Sequence, residues 1–185
     1  MEVNAIDTAL GEYGLPPVRK MALLGSGPMP YTSLCFQERY GPSVSFLNVD
    51  RNPEAIELGS KVVESCGFDN ITFKEADVST LTCLADYDVV HFAALIGATP
   101  EQRRNLIVAV AGCMRPGALL LVRSTDGLRQ LLYPPANMES QQIRSVVTPV
   151  VATRYFGGAS SLSVNVGRVE GPGAPGSFHV PDAHI

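Results

Sequence analysis

Gly25-Ser26-Gly27-Pro28 follows an apolar run and precedes a segment with helical spacing. Glycines at a strand-to-helix turn let the backbone bend sharply and approach a ligand closely. Close packing explains many such turns as well. Asp50 closes the next apolar run, and Asp77 closes the one after it, followed by Val78. An acid at Asp50 can accept hydrogen bonds from ribose hydroxyls; its plainer role is a strand-end or capping acid facing water. An acid at Asp77 suits the amino group of an adenine; its plainer role is an exposed turn acid beside Ser79. Each signal alone is weak. Together they mark the carboxyl ends of three successive strands, where open α/β sheets bind ligands, and they favour an adenosine-type cofactor. A dinucleotide fingerprint would place a third glycine near position 30, where this chain has Pro30, and that weakens a nicotinamide reading.

Three further places carry candidates. His91 lies inside the apolar run Tyr87 to Ala94, and its expected role is a packed, hydrogen-bonded core histidine rather than a catalyst. Ala93, Ala94 and Leu95 end that run and are small or apolar enough to wall a cofactor. Arg123 ends a fifth apolar run, where a guanidinium could grip a carboxylate through two parallel hydrogen bonds. Its alternative is a solvated strand-end cation. No residue identifies itself as the catalytic base, and no His/Cys/Asp/Glu spacing suggests a metal site.

The elements that would hold these residues alternate. Strands are expected at Val18–Leu24, Val44–Val49, Ile71–Ala76, Tyr87–Ala94 and Ala118–Val122. Helices are expected at Thr32–Tyr40, after the cap Asn52-Pro53, after Thr99-Pro100-Glu101-Gln102, and briefly at Leu128–Tyr133. Val146–Phe156 and Leu162–Val169 predict an antiparallel hairpin around Gly157-Gly158-Ala159-Ser160. Strands alternating with helices predict a Rossmann-like, doubly wound, mostly parallel α/β sheet. With the closing antiparallel pair, the expected arrangement is similar by fold analogy to the class I S-adenosylmethionine-dependent methyltransferase type, an analogy that does not by itself give chemistry. The expected organisation is a lead-in over 1–17 with one or two helical turns, one domain over 18–169, and a Pro/Gly-rich disordered tail over 170–185.

Composition removes other classes. Apolar residues make up 45% of the 185-residue chain and charged residues 17%, so a wholly disordered chain is excluded. Net charge is −4, without a polybasic stretch, which disfavours nucleic acid or an anionic membrane as partner. No apolar run approaches the ~20 residues that span a bilayer. The first residues lack the apolar core of a secretory signal. Four scattered cysteines with no CxxC pair suit free thiols in a reducing, cytoplasmic setting.

Five blocks in order carry a resemblance: MALLGSGPMPYTS (Met21–Ser33), NVDRNPEAIELGSKVV (Asn48–Val63), EADV (Glu75–Val78), YDVVHFAALIG (Tyr87–Gly97) and MRPGALLLVRSTDGLRQLLYP (Met114–Pro134). From about Lys20 to Gly167 the chain resembles the nicotianamine synthase family. The two prolines straight after the glycine turn are the most specific feature. The resemblance implies transfer of 3-amino-3-carboxypropyl groups from S-adenosylmethionine to a small amine or amino-acid acceptor, releasing methylthioadenosine. It implies that Gly25, Ser26, Gly27, Asp50, Asp77 and Val78 hold the donor and that Ala93, Ala94 and Leu95 line it. Arg123 is expected near the methionyl carboxylate or the growing product. Family members carry a helical region before the nucleotide-binding domain that supplies much of the acceptor pocket. Glu2, Asp7, Glu12 and Tyr13 match no motif of it, so the missing wall would come from another protomer or a partner. The alternatives are a small-molecule methyltransferase on the same sheet and a truncated, cofactor-binding domain without activity.

Overall fold

The computed structural model describes residues 1–157 and 160–171. The tip of the expected hairpin (Gly158 and Ala159) and the tail from 172 onward lie outside the described residues. The chain runs α1 (Glu2–Glu12), β1 (Lys20–Leu24), α2 (Tyr31–Tyr40), β2 (Ser45–Asp50), α3 (Pro53–Cys66), β3 (Ile71–Glu75), β4 (Val89–Phe92), α4 (Pro100–Cys113), β5 (Leu119–Gly127), α5 (Gln141–Arg144), β6 (Val147–Gly157) and β7 (Ser160–Val169). Single 3-10 turns occupy Val78–Thr80 and Leu128–Leu131, the second in place of the expected short helix.

The strands form one seven-stranded sheet in the order β3-β2-β1-β4-β5-β7-β6. β1 to β5 pair in parallel, and β7 is antiparallel to both β5 and β6. The order reverses direction between β1 and β4, and a crevice opens beyond the carboxyl ends of the strands at such a switch point. The central strands β1 and β4 are buried on both faces, which is why they read as almost wholly apolar runs, whereas the edge strand β3 is largely exposed. Successive residues serve opposite layers. Met21, Leu23, Val89 and Leu121 pack with Ile6, Phe36 and Val63 of α1, α2 and α3. Ala22, Leu24, Val90 and Val122 pack with Ile107 and Val110 of α4 and Ile143 of α5.

Helix punctuation follows the sequence closely. Asn52 accepts from Glu54 N–H at 3.0 Å, Pro53 opens α3, and Gly67 closes it with φ +74°. Thr99 accepts from Gln102 N–H at 3.1 Å, while the Gln102 side chain reaches back to Ala98 N–H at 2.8 Å. The main departure lies at the start. Residues 2–12 form a full helix of 11 residues rather than a turn or two. Ala5, Ile6 and Ala9 are buried in the same layer as α2 and α3, so this segment is part of the core. Among the described residues no helix is long and apolar enough to cross a membrane, and no group of His, Cys, Asp or Glu could hold a metal ion.

Candidate functional site

The glycine turn is fastened to β2. Gly25 N–H and Ser26 N–H both donate to Val49 C=O, at 2.8 and 3.1 Å. Gly25 has φ +72°, and a Cβ there would stand 3.0 Å from Cγ1 of Ile96 and 3.2 Å from Cβ of Ala93. It therefore packs the turn against the segment after β4. Gly27 has φ +66°, yet a Cβ there would meet nothing within 4 Å. Its backbone borders open space and needs glycine for conformation alone. The Ser26 hydroxyl oxygen is buried and has no hydrogen-bond partner. Buried hydroxyls are seldom left in that condition, so this atom suits a polar group of a ligand lying over the turn.

Asp50 stands at the end of β2 and ties two loops together. Gly27 N–H donates to Oδ2 at 2.8 Å and Asn52 N–H donates to Oδ1 at 3.0 Å. It is a fastener whose carboxylate oxygens each keep further acceptor capacity. Asp50→Ala strands two backbone donors and is expected to lower the unfolding free energy by about 1–3 kcal/mol in urea titrations. Asp50→Asn keeps one acceptor and should lose less. Equal stability of all three proteins would show that water replaces the carboxylate at no cost.

Asp77 caps the 3-10 turn of Val78–Thr80. The hydroxyl of Ser79 donates to Oδ1 at 2.6 Å, and its N–H donates to the same oxygen at 2.8 Å. These bonds, the hydroxyl's first, hold the Asp77 carboxyl below the usual aspartate range. Oδ2 takes neither bond. Ala76 N–H donates to Asp50 C=O at 3.0 Å, which keeps the ends of β2 and β3 together. Val78 is half-buried against the α4 layer. Ala93 and Ala94 are half-buried and Leu95 is 74% exposed.

Two residues that sequence reasoning passed over organise this edge. Arg103 of α4 is fully buried. Its Nη1 donates to the carbonyls of Ala93 (3.0 Å), Ala94 (2.9 Å) and Ile96 (2.7 Å), and Nη2 donates to Arg123 C=O. The guanidinium lies over the Phe92 ring, 5.1 Å from its centroid. Burial pushes its pKa down to about 10, which leaves it charged at neutral pH. Gly97, with φ +87°, gives it room: a Cβ there would come within 2.8 Å of the Arg103 Cα.

The second is Glu2, whose carboxyl side chain is only 13% exposed. His91 is buried, and its Nε2 lies 3.2 Å from Oε1 of Glu2. Arg123 Nε lies 3.0 Å from the same Oε1, as an ion pair not aligned as a hydrogen bond. The carboxylate beside Arg123 is thus the chain's own. Burial alone would raise the pKa of Glu2. The hydrogen bond and attraction of His91, then the charge of Arg123 and the amino terminus, outweigh it and hold the carboxyl below the usual glutamate value. Both omissions had a signal. Glu2 falls in line with Ala5, Ile6 and Ala9, and Arg103 with Ile107, Val110 and Ala111, so each is an ionisable residue on a buried helical stripe.

Comparison with known proteins agrees with this geometry. The family model described as "Nicotianamine synthase protein" matches residues 2–153, so the match takes in α1, which lies ahead of the blocks beginning at Met21. Nicotianamine synthase 3 of Oryza sativa subsp. indica is 35% identical over 98% of this chain and 55% of its own length. Nicotianamine synthase 9 of Hordeum vulgare is 40% identical over 74% of this chain and 43% of its own. The chain spans about half the length of these curated relatives. Among solved structures, a glutamate-to-glutamine variant of MtNAS in complex with S-adenosylmethionine superposes with a TM-score of 0.68. It is 20% identical, over 91% of this chain and 62% of that one. The N-methyltransferase NodS of Bradyrhizobium japonicum gives 0.69 at 14% identity, over 92% of this chain and 94% of that one. Both share the class I methyltransferase fold. A family match across 2–153, on a sheet of this order with its glycine turn and acidic strand ends in place, leads to one conclusion: the chain belongs to the nicotianamine synthase family.

Proposed function

We propose that the protein moves a 3-amino-3-carboxypropyl group from S-adenosylmethionine to a small amine or amino-acid acceptor and releases methylthioadenosine. The observation that carries this reading is the family match over residues 2–153, which includes both the glycine turn and Glu2. MtNAS structures hold S-adenosylmethionine in one case and MTA with tNA in another, which supports the same donor here. The residues present fit such a donor: the unpartnered Ser26 hydroxyl and the open face of Gly27 offer it polar and steric room. Gly25, Ser26, Gly27, Asp50, Asp77 and Val78 would hold it, and Ala93, Ala94 and Leu95 would line it.

The donor supplies a sulfonium with three carbon substituents. Which carbon reacts is decided by which one faces the attacking nitrogen in line with its bond to sulfur. For this transfer the methionyl γ-carbon must face the amine; the N–C bond forms and the C–S pair returns to sulfur. The amine must give up a proton, and Glu2, kept ionised by its pairing, is the buried carboxylate at this edge that would receive it. His91 and Arg123 both contact Oε1, which would leave Oε2 for the acceptor. The free cysteines support a reducing, cytoplasmic location, and a product with several amine and carboxylate groups would chelate metal ions.

The test is to incubate the protein with S-adenosylmethionine and candidate amines and identify the products by mass spectrometry. Methylthioadenosine with an aminocarboxypropylated amine is expected. Adenosylhomocysteine as the sole nucleoside product would instead establish a methyltransferase. In calorimetry, Asp50→Ala should weaken donor binding about tenfold, the equivalent of one charge-assisted hydrogen bond.

A further inference from the structure

We propose that His91 is a positioning residue for Glu2, holding one oxygen of that carboxylate so that the other faces the acceptor. The proposal rests on the reading of Glu2 given above. Three elements converge here, with Glu2 from α1, His91 from β4 and Arg123 from β5. His91 pairs in register with Leu121, two residues before Arg123, so the two side chains share one face of the sheet. That is the face on which α1 packs. Both contacts fall on Oε1 of Glu2.

The two contacts differ in what they can do. Arg123 is about one-third exposed and its Nε is not aimed at the carboxylate, so it supplies charge with little direction. His91 is 3% exposed and fixed within a strand paired on both sides, so its ring cannot follow Glu2 if the carboxylate swings away. Direction therefore comes from His91. A glutamate in the first turn of a helix has three freely rotating side-chain bonds. Without the imidazole it would sample several rotamers, and only some would present an oxygen to the acceptor. Catalysis is sensitive to displacements of this size. Among the described residues, the charged or titratable groups facing Glu2 are His91, Arg123 and the chain's amino terminus. Val151, Val164 and Val166 of β6 and β7 in this layer are uncharged.

The test compares His91→Leu, which removes the ring nitrogen at similar volume, with His91→Gln, which restores a donor. Carbon-13 NMR of the Glu2 carboxyl gives a readout independent of turnover. Its titration midpoint is expected to rise in His91→Leu and to return toward the wild-type value in His91→Gln. Turnover with saturating donor should fall about tenfold in His91→Leu, recover in His91→Gln, and show no further drop when His91→Leu is added to Glu2→Gln. Donor affinity should stay unchanged throughout. An unmoved Glu2 titration in His91→Leu would overturn the proposal, as would equal losses from His91→Leu in the wild-type and Glu2→Gln backgrounds. A shifted titration in a protein that forms no methylthioadenosine would leave the contact standing and overturn the transferase reading instead. If His91→Leu fails to fold, His91→Gln decides by the same titration: a midpoint far above wild type would show that a donor at this position does not hold Glu2.

Discussion

Replacing Arg103 with leucine is expected to lower the unfolding free energy by about 3–5 kcal/mol, since each buried acceptor left unpaired costs about 1–3 kcal/mol. That is a large share of the roughly 5–15 kcal/mol that holds a domain together. Four carbonyls, those of Ala93, Ala94, Ile96 and Arg123, accept from this one guanidinium. Leucine would fill much of the space over Phe92 but would take this donor from all four, leaving Ala93 C=O with only its 3.4 Å bond from Ile96 N–H. Lysine keeps the charge and loses the planar fork, so Arg103→Lys should recover only part of the stability. Urea titration measures both. Hydrogen exchange measures where the damage lies: the amides of 93–97 should lose protection before those of β1 and β2. A leucine variant within ~0.5 kcal/mol of wild type would show that water reaches these carbonyls, and Arg103 would then be a tolerated charge rather than a brace.

Arg103 also shows what the sequence could and could not reveal. Regular periodicity carries most of the fold. The apolar runs of β1 to β5, the caps Asn52 and Thr99 and the final β pair were all readable, because each reflects local backbone chemistry or one buried face. Strand lengths were less readable. β4 is confined to Val89–Phe92, whereas its apolar run suggested Tyr87–Ala94. β5 continues to Gly127 because β7 pairs with it as far as Gly127↔Ser160, a contact that no local feature announces. The residues at the strand ends were legible by type and incomplete by partner. The turn at Gly25–Gly27 and the acids Asp50 and Asp77 lie where the strand order placed them. Their existing bonds to Gly27, Asn52 and Ser79 depend on loop geometry. Arg123 was expected near the methionyl carboxylate or the growing product; the carboxylate beside it in the structure is that of Glu2, which arrives from α1, far away in sequence. A buried ionisable residue looks like a surface charge in a sequence until its helical phase is compared with the apolar stripe beside it.

Glu2→Gln is expected to reduce turnover by at least about 100-fold, the lower end of what a positioned acid or base contributes, while leaving donor affinity nearly intact. Glutamine keeps the shape and an acceptor oxygen for His91 and Arg123, so α1 should stay docked through Ala5, Ile6 and Ala9. It cannot take a proton from an incoming amine. Single-turnover release of methylthioadenosine measures the chemical step, and calorimetry with S-adenosylmethionine measures binding. The pH dependence supplies an independent sign. The folded-state pKa of Glu2 is depressed, so its pairing stabilises the protein fully above the ordinary glutamate value of about 4.3. That contribution is lost as pH falls through the lower folded value. The glutamine variant should lack this part of the acid unfolding curve. Full turnover in Glu2→Gln would move proton acceptance to another group, and α1 would then contribute packing and charge to the edge of the site without taking part in the reaction.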